Sequence, residues 1–419
     1  MTHLGDFFSA AHQNKLHASP TASGTFSGFN DTDFPIRLIA TPEDLEQACD
    51  ILSKHTELAF DLEFDDMRYF YGRTLSLIQV FDGETVFIID AVSLENKIEP
   101  LLRIFENDQL VKIFHSSWND LMVLSEQYGC QMKNVLDTSI FYRMLGHSEN
   151  SISLKNLIKT YVDVDIEKGE QSSNWITRPL TDSQILYAAK DVIYLHRIAH
   201  LLRQELAAVG RLEWALEECR VLEKIKFVND PKPYLKLAQK NRIYPHLYPR
   251  FADVWFFREN LAKKMNKPPF QLFPNDVLCE LVRNPERTLA NWENYKGIHP
   301  SLRRENSLQQ LTKLTSAEMP TPAISYRELE NRNKAFERSM VDYKAWLRSE
   351  RKTVLQQLKK QLAQTHGLPI TNLFLSEKIQ PEVADLGTKK TLKIWQDELI
   401  QQTCDLLHLD YSLISFSLY

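Results

Sequence analysis

Asp61 and Glu63 stand two residues apart in the segment FDLEF (60–64), and two later stretches extend this pair into a larger set. Asp120 lies in FHSSWNDLMVL (114–124), and Tyr187 and Asp191 lie in YAAKDVIYL (187–195). Four carboxylates and a phenol can hold two divalent cations and position a water, which is equipment for hydrolysing a phosphodiester. Hard oxygen ligands with no paired Cys or His favour Mg²⁺ or Mn²⁺ over zinc.

The elements that must position these groups are legible. The run ELAFDLEF (57–64) is apolar at 58, 60, 62 and 64 and follows the helix-like PEDLEQACDILSK (42–54), so it reads as a central strand. Residues i and i+2 of a strand share a face, so Asp61 and Glu63 project together and repel unless a cation lies between them. Asp120 follows the strand-like LVKIF (110–114) and opens the apolar-periodic WNDLMVLSEQY, which places it near a helix start. Tyr187 and Asp191 lie four apart in TDSQILYAAKDVIYLHRIAHLLRQEL (181–206), read as one long helix, and so share a helical face. Taken singly, D-x-E suits a solvated strand end, Asp120 a helix cap and Tyr187 a core aromatic with a wetted hydroxyl. It is their joint occurrence, in this order and on these elements, that points to chemistry.

In these motifs the chain resembles the DEDDy 3′–5′ exonucleases and, within them, the ribonuclease D family. FDLEF (60–64), IFHSSWNDL (113–121) and WITRPLTDSQILYAAKDVIYL (175–195) match the three motifs. Between them, LSLIQVFDGETVFIID (75–90) resembles two further strands, with Asp82-Gly83 at the hairpin turn. VLDTSIF (135–141) resembles the family's D-T segment, and the whole likeness covers roughly residues 36–210. The resemblance implies a ribonuclease H-like α/β fold, a mixed sheet flanked by helices. It also implies that Asp61, Glu63, Asp120 and Asp191 bind two metal ions while Tyr187 orients the attacking water. A phenol with a pKa of about 10 is a poor base at neutral pH, so positioning is the task that suits Tyr187. Leu62, between the two acids, and His115 are candidate substrate contacts, although His115 equally suits a structural role. Arg178, in the W-x-x-R-P-L segment, suits a packed loop that fixes the last helix better than a phosphate contact.

Composition frames the rest. A chain of 419 residues, 43% hydrophobic and 25% charged, has room for two or three globular domains. No apolar run approaches a membrane span and no basic region precedes an apolar stretch at the start, so no membrane association is expected. Residues 1–34 are unpatterned and read as a loose extension. Five cysteines form no C-x-x-C pair, as expected of free thiols in a reducing cytoplasm.

The net charge of −5 divides unevenly. Residues 1–200 hold 16 Lys and Arg against 29 Asp and Glu, a balance of −13; residues 201–419 hold 34 against 26, or +8. An acidic half joined to a basic half suggests that one performs chemistry while the other attracts a polyanion. After the exonuclease-like region (35–225) and the connector FVNDPKPYLK (227–236), residues 237–318 resemble an HRDC domain, an all-α module. Trp255, Arg258 and Glu259 stand in its W-R-e stretch, and Lys267-Pro268-Pro269 at the turn before its next helix. Pro320 and Pro322 mark a second linker, and residues 325–412 resemble a second, more divergent HRDC-like domain through Gly367-Leu368-Pro369 and IWQDELI (394–400). Lys232, Lys236, Lys240 and Arg242 interleave with Tyr234 and Tyr244, a mixture that suits phosphate contact and base stacking as well as it suits a solvated face.

The expected activity is metal-dependent 3′–5′ exoribonuclease trimming of single-stranded 3′ ends, with tRNA precursors as the implied substrates and nucleoside 5′-monophosphates as products. A DNA exonuclease of the proofreading or Werner type would use the same site, and a silent nucleic-acid scaffold would not need it intact. Because every candidate catalytic residue precedes residue 225, a fragment ending there is expected to fold and cut by itself.

Overall fold

The computed structural model describes residues 24–26, 34–147, 151–166, 169–316, 341–377, 379–386 and 388–415. Most of the expected extension (1–34), the linker prolines Pro320 and Pro322, and residues 325–340 of the second helical region lie outside them. The described residues fall into two compact units. One lies within Met1–Phe64, Leu75–Phe227 and Val354–Tyr419, the other within Asp65–Thr74 and Val228–Thr353.

The first unit is built on a seven-stranded mixed sheet. Its strands are β1 (Gly24–Phe26), β2 (Ile36–Ile39), β3 (Glu57–Asp66), β4 (Arg73–Phe81), β5 (Val86–Asp90), β6 (Val111–Phe114) and β7 (Val135–Asp137), in spatial order β1-β2-β5-β4-β3-β6-β7. β4 and β5 form an antiparallel hairpin in which Asp82 Oδ1 accepts the backbone N–H groups of Glu84 and Thr85, and Gly83 takes a φ of 102°. β2–β5, β3–β6 and β6–β7 pair in parallel. Leu58, Ala59 and Phe60 are all fully buried, as are all five residues of β5, so these strands are covered on both faces and read as apolar runs rather than alternations. The sheet with its flanking helices has the ribonuclease H-like form that the motifs imply.

Eight helices of this unit precede residue 221: α1 (Pro42–Leu52), α2 (Glu99–Phe105), α3 (Trp118–Tyr128), α4 (Thr138–Met144), α5 (Leu154–Val162), α6 (Asp182–Ile193), α7 (Leu195–Ala208) and α8 (Leu212–Arg220). The single helix expected over 181–206 is two. The chain bends at Tyr194, so that α6 packs on β5 while α7 packs on α4 and α5. Helices at 368–375 and 394–407 close the unit. Trp395 stacks on Trp214 of α8 at 4.9 Å, Phe374 meets Trp395 edge-on at 5.7 Å, and Lys393 pairs with Glu218 at 2.5 Å. The C-terminal helices therefore share one apolar core with the sheet.

The second unit is helical, with a core around Phe251, Phe273 and Trp292. Arg258 is buried there, bonded to the Phe273 carbonyl and Asn275 and lying over the Phe273 ring. The basic excess belongs to this unit. Residues 228–353 hold 23 Lys and Arg against 14 Asp and Glu, whereas residues 354–419 hold 6 against 7. Among the described residues no helix is long and apolar enough to cross a membrane.

Candidate active site

Alternation along β3 puts Asp61 and Glu63 on one face, and α6 brings Asp191 against them. Each of the three offers a carboxylate oxygen, and these oxygens all lie within 4.8 Å of one another. Asp120 sits in the first turn of α3 and is 7% exposed, as is Asp191. It stands apart from the closest triad but within electrostatic reach of Asp61 and Glu63.

Repulsion and burial act together on these acids. Burial pushes the Asp61 carboxyl up to about 7, although a backbone N–H bond at Leu62 opposes it. Glu63 rises to about 10, from burial first and then from Asp61, Asp191 and Asp120. Burial followed by Asp61 also raises Asp120 and Asp191 well above the ordinary carboxylate range. Clustered acids in this condition fit divalent cations, because a cation replaces mutual repulsion with attraction for every member. Tyr187 lies one helical turn before Asp191, half-buried, with its ring tilted against Trp175 at 6.0 Å. Its phenol pKa is raised by burial and then by Asp191, Glu63 and Asp61, so it stays a proton donor near neutral pH.

A consequence for stability follows. A carboxyl whose folded pKa exceeds its unfolded value favours folding at low pH, and that stabilisation is lost as pH rises through the folded value. In EDTA, the Tm should therefore fall as pH climbs past about 7, where Asp61 ionises. Added Mn²⁺ should restore it. A metal-free Tm that is flat between about pH 5 and about pH 9, well above ordinary carboxylate pKa values, would contradict this electrostatic picture.

The support around the acids is as specific as the acids themselves. Asp137, at the end of β7, accepts from the backbone N–H groups of Ser116 and Ser117 and from the Ser117 hydroxyl, clamping the turn that launches α3. The same carboxylate caps α4 through Ser139. Thr138 donates to the Phe114 carbonyl and meets His115 Nδ1 at 2.9 Å, while His115 Nε2 meets the Ile152 carbonyl at 3.0 Å. Both ring nitrogens of His115 are thus engaged within the unit, and burial lowers its pKa. The D-T segment is visible in the sequence; its role in holding Asp120 is not.

Arg178 is likewise engaged. It forks onto Asp90 with two bonds of 2.7 Å, and its remaining donors reach the carbonyls of Trp175, Thr177 and Ser76. This ties the loop before α6 to β4 and β5, and the Thr181–Gln184 capping box then starts α6. Leu62 is 5% exposed and points into the core. Lys232, Lys236, Lys240 and Arg242 are solvent-exposed on the helical unit. A cavity of about 430 Å³, not anticipated from sequence, opens beside Tyr187 between the exposed face of α6 and residues 164–170, with Lys190, Tyr194 and Glu170 in its lining.

Residues 36–207 match the model of the 3′–5′ exonuclease family. Among curated proteins, the chain is 29% identical to ribonuclease D of Haemophilus influenzae over 258 residues, covering 61% of this chain and 64% of the relative. It is 35% identical to ribonuclease D of Serratia proteamaculans over 186 residues, 44% of this chain and 49% of the relative. The matched region therefore spans between half and two-thirds of these relatives' length. Among solved structures, Escherichia coli RNase D, described as an exoribonuclease involved in structured RNA processing, superposes with a TM-score of 0.63 at 22% identity, over 90% of this chain and 98% of that one. A protein from Bifidobacterium adolescentis gives 0.65 at 18% identity, over 90% and 94%. At these identities the structural likenesses speak for the fold.

Proposed function

We propose that this relative of ribonuclease D, whose residues 36–207 belong to the 3′–5′ exonuclease family, is a divalent-metal-dependent 3′–5′ exoribonuclease. The observation that carries the reading is the convergence of Asp61, Glu63 and Asp191 within 4.8 Å, with Tyr187 one turn away on the same helix. Asp61, Glu63 and Asp191 would hold one Mg²⁺ or Mn²⁺, and Asp61 with Asp120 a second. When bound, such ions lower the pKa of a coordinated water and stabilise the oxygen that leaves. The protein's own part is to hold the four acids at fixed positions and, through the Tyr187 hydroxyl, to orient the attacking water by hydrogen bond.

The substrate would be RNA with a single-stranded 3′ end, tRNA precursors foremost, and the products nucleoside 5′-monophosphates. The helical regions at 237–318 and 325–412 would be HRDC-like domains, with Lys232, Lys236, Lys240 and Arg242 contacting phosphates. His115 and Arg178 would act by holding the backbone around Asp120 and α6, and Leu62 by packing between the acids. Work in the cytoplasm suits the five cysteines, all buried and unpaired.

End-labelled single-stranded RNA and matched DNA, incubated with the protein in Mg²⁺, Mn²⁺ or EDTA, test the reading. Stepwise shortening of RNA from its 3′ end, abolished by EDTA, is expected. Preference for DNA would select a proofreading-type enzyme, and no cleavage of either would select a silent scaffold.

Tyr187→Phe separates orientation from binding. The ring and its packing on Trp175 remain while the hydroxyl is removed, so turnover should drop by about 10²-fold or more with RNA affinity retained. A defect explained wholly by weaker RNA binding would place Tyr187 in contact with substrate instead.

A further inference from the structure

The strand that bears Asp61 and Glu63 has an unusual end. Its ladder with β6 runs over three pairs and stops at Ala59↔Ile113. The stretch bearing both acids therefore has β4 alone beside it. Mutually repelling carboxylates on a half-supported strand will spread unless something beyond them holds the backbone.

That support comes from the helical unit, to which Asp65–Thr74 belongs. Asp65, two residues past Glu63 and 6% exposed, folds the hairpin tip onto itself by accepting backbone N–H groups from Arg68, Tyr69 and Phe70. The tip is then captured at three points. Tyr71 N–H donates to Asn266 Oδ1 at 3.3 Å, and Asn266 itself ends the helix Tyr248–Met265 in a left-handed conformation. Gln271 Nε2 donates to the Arg68 carbonyl at 3.4 Å. The Tyr71 ring packs against the helical core, and its hydroxyl hydrogen-bonds the carboxylate of Glu259, which is 9% exposed. Glu259 belongs to the W-R-e stretch that marks the HRDC resemblance, so this motif residue has a partner on the catalytic hairpin's own tip.

We propose that Tyr71 and Glu259 are positioning residues for hydrolysis, forming a latch through which the helical unit holds the acid-bearing end of β3 in place. The proposal rests on the nuclease reading above and adds to it a second task for the helical unit besides any hold on RNA. The latch works through the backbone: Tyr71 anchors the tip, Asp65 ties the tip to the strand end, and Glu63 lies two residues, about 7 Å, further along. Removing the hydroxyl or the carboxylate charge loosens the anchor and leaves the side chains' packing in place.

Tyr71→Phe, Glu259→Gln and the double variant test it in the full-length protein, with kcat and KM on a short single-stranded RNA and amide hydrogen exchange over residues 57–74. Each single variant should lower kcat about tenfold, a fraction of the roughly 10²-fold that a 1 Å misplacement can cost, with KM held within about twofold. Exchange at 61–66 should quicken while that at 57–59, in the β6 ladder, stays slow. The double variant should be no worse than either single one, because both remove the same bond. Unchanged kcat together with unchanged exchange overturns the latch. So does a raised KM at constant kcat, which would make the tip an RNA contact. Should the wild-type protein fail to cut RNA while exchange at 61–66 still quickens in the variants, the latch stands and the nuclease reading falls.

Discussion

Asp61→Asn should reduce RNA hydrolysis by well over about 10²-fold, because even the outer partners of metal ligands are worth 10–100-fold. Asp61 is the choice among the four acids because it is the charge that all the others feel. It is the strongest charge acting on Glu63, Asp120 and Asp191, and it also acts on Tyr187. Its neutralisation removes the hub of the repulsion, so the metal-free variant should be at least as heat-stable as wild type above about pH 7, where Asp61 would ionise. The rise in Tm that Mn²⁺ gives the wild-type protein should shrink or vanish in the variant. Abolished activity with a retained metal-induced shift would mean that Asp61 serves the reaction without holding the ion. Near-wild-type turnover at saturating Mg²⁺ would remove Asp61 from the site altogether.

How much of this is legible in sequence depends on distance along the chain. The pairing of Asp61 with Glu63 follows from strand alternation and that of Tyr187 with Asp191 from helical spacing, so both can be read locally. The placement of Asp120 in a first helical turn follows from the apolar period after LVKIF. Pairings between distant segments leave no such trace. Arg178 meeting Asp90, or Asp137 clamping the turn at Ser116, joins residues 88 and 21 apart, and nothing in either local pattern names its partner. The aromatic tip DDMRYFYG reads as a loop of no fixed allegiance until the helical unit is seen to hold it. The division of charge is read at the right sign but the wrong boundary, because a cut at residue 200 cannot show that the nearly neutral C-terminal helices join the sheet's core.

That last point reverses the expectation for a fragment ending near residue 225. Every candidate catalytic residue precedes that point, yet the core does not close there. Trp214 would be deprived of Trp395, Glu218 of both the Trp395 indole N–H and Lys393, and Arg211 of the His366 carbonyl. Phe374, Leu375, Ile400 and Cys404 are fully buried in the same core. Burying one large apolar side chain is worth about 1.5–3 kcal/mol, so removing several approaches the roughly 5–15 kcal/mol that holds an ordinary protein folded. Residues 1–227 alone should thus be aggregation-prone or molten, with secondary structure but weak near-ultraviolet dichroism. Joining residue 227 to residue 354 through a flexible linker, and so omitting 228–353, should restore cooperative unfolding. The joined protein lacks the 23 Lys and Arg of the helical unit, so it should bind tRNA-sized RNA weakly and with a flattened salt dependence. For a single strand, the log–log slope falls by about 0.7 with every phosphate that is no longer neutralised. Thermal melts of the two shortened proteins, and RNA binding across a salt series with Asp61→Asn present to block cutting, decide both parts. If residues 1–227 melt as cooperatively as the joined protein, the C-terminal helices are an accessory to the fold. If the joined protein keeps the full-length slope, the phosphate-binding groups lie on the sheet-bearing unit, and the helical unit's part in catalysis is confined to holding the hairpin.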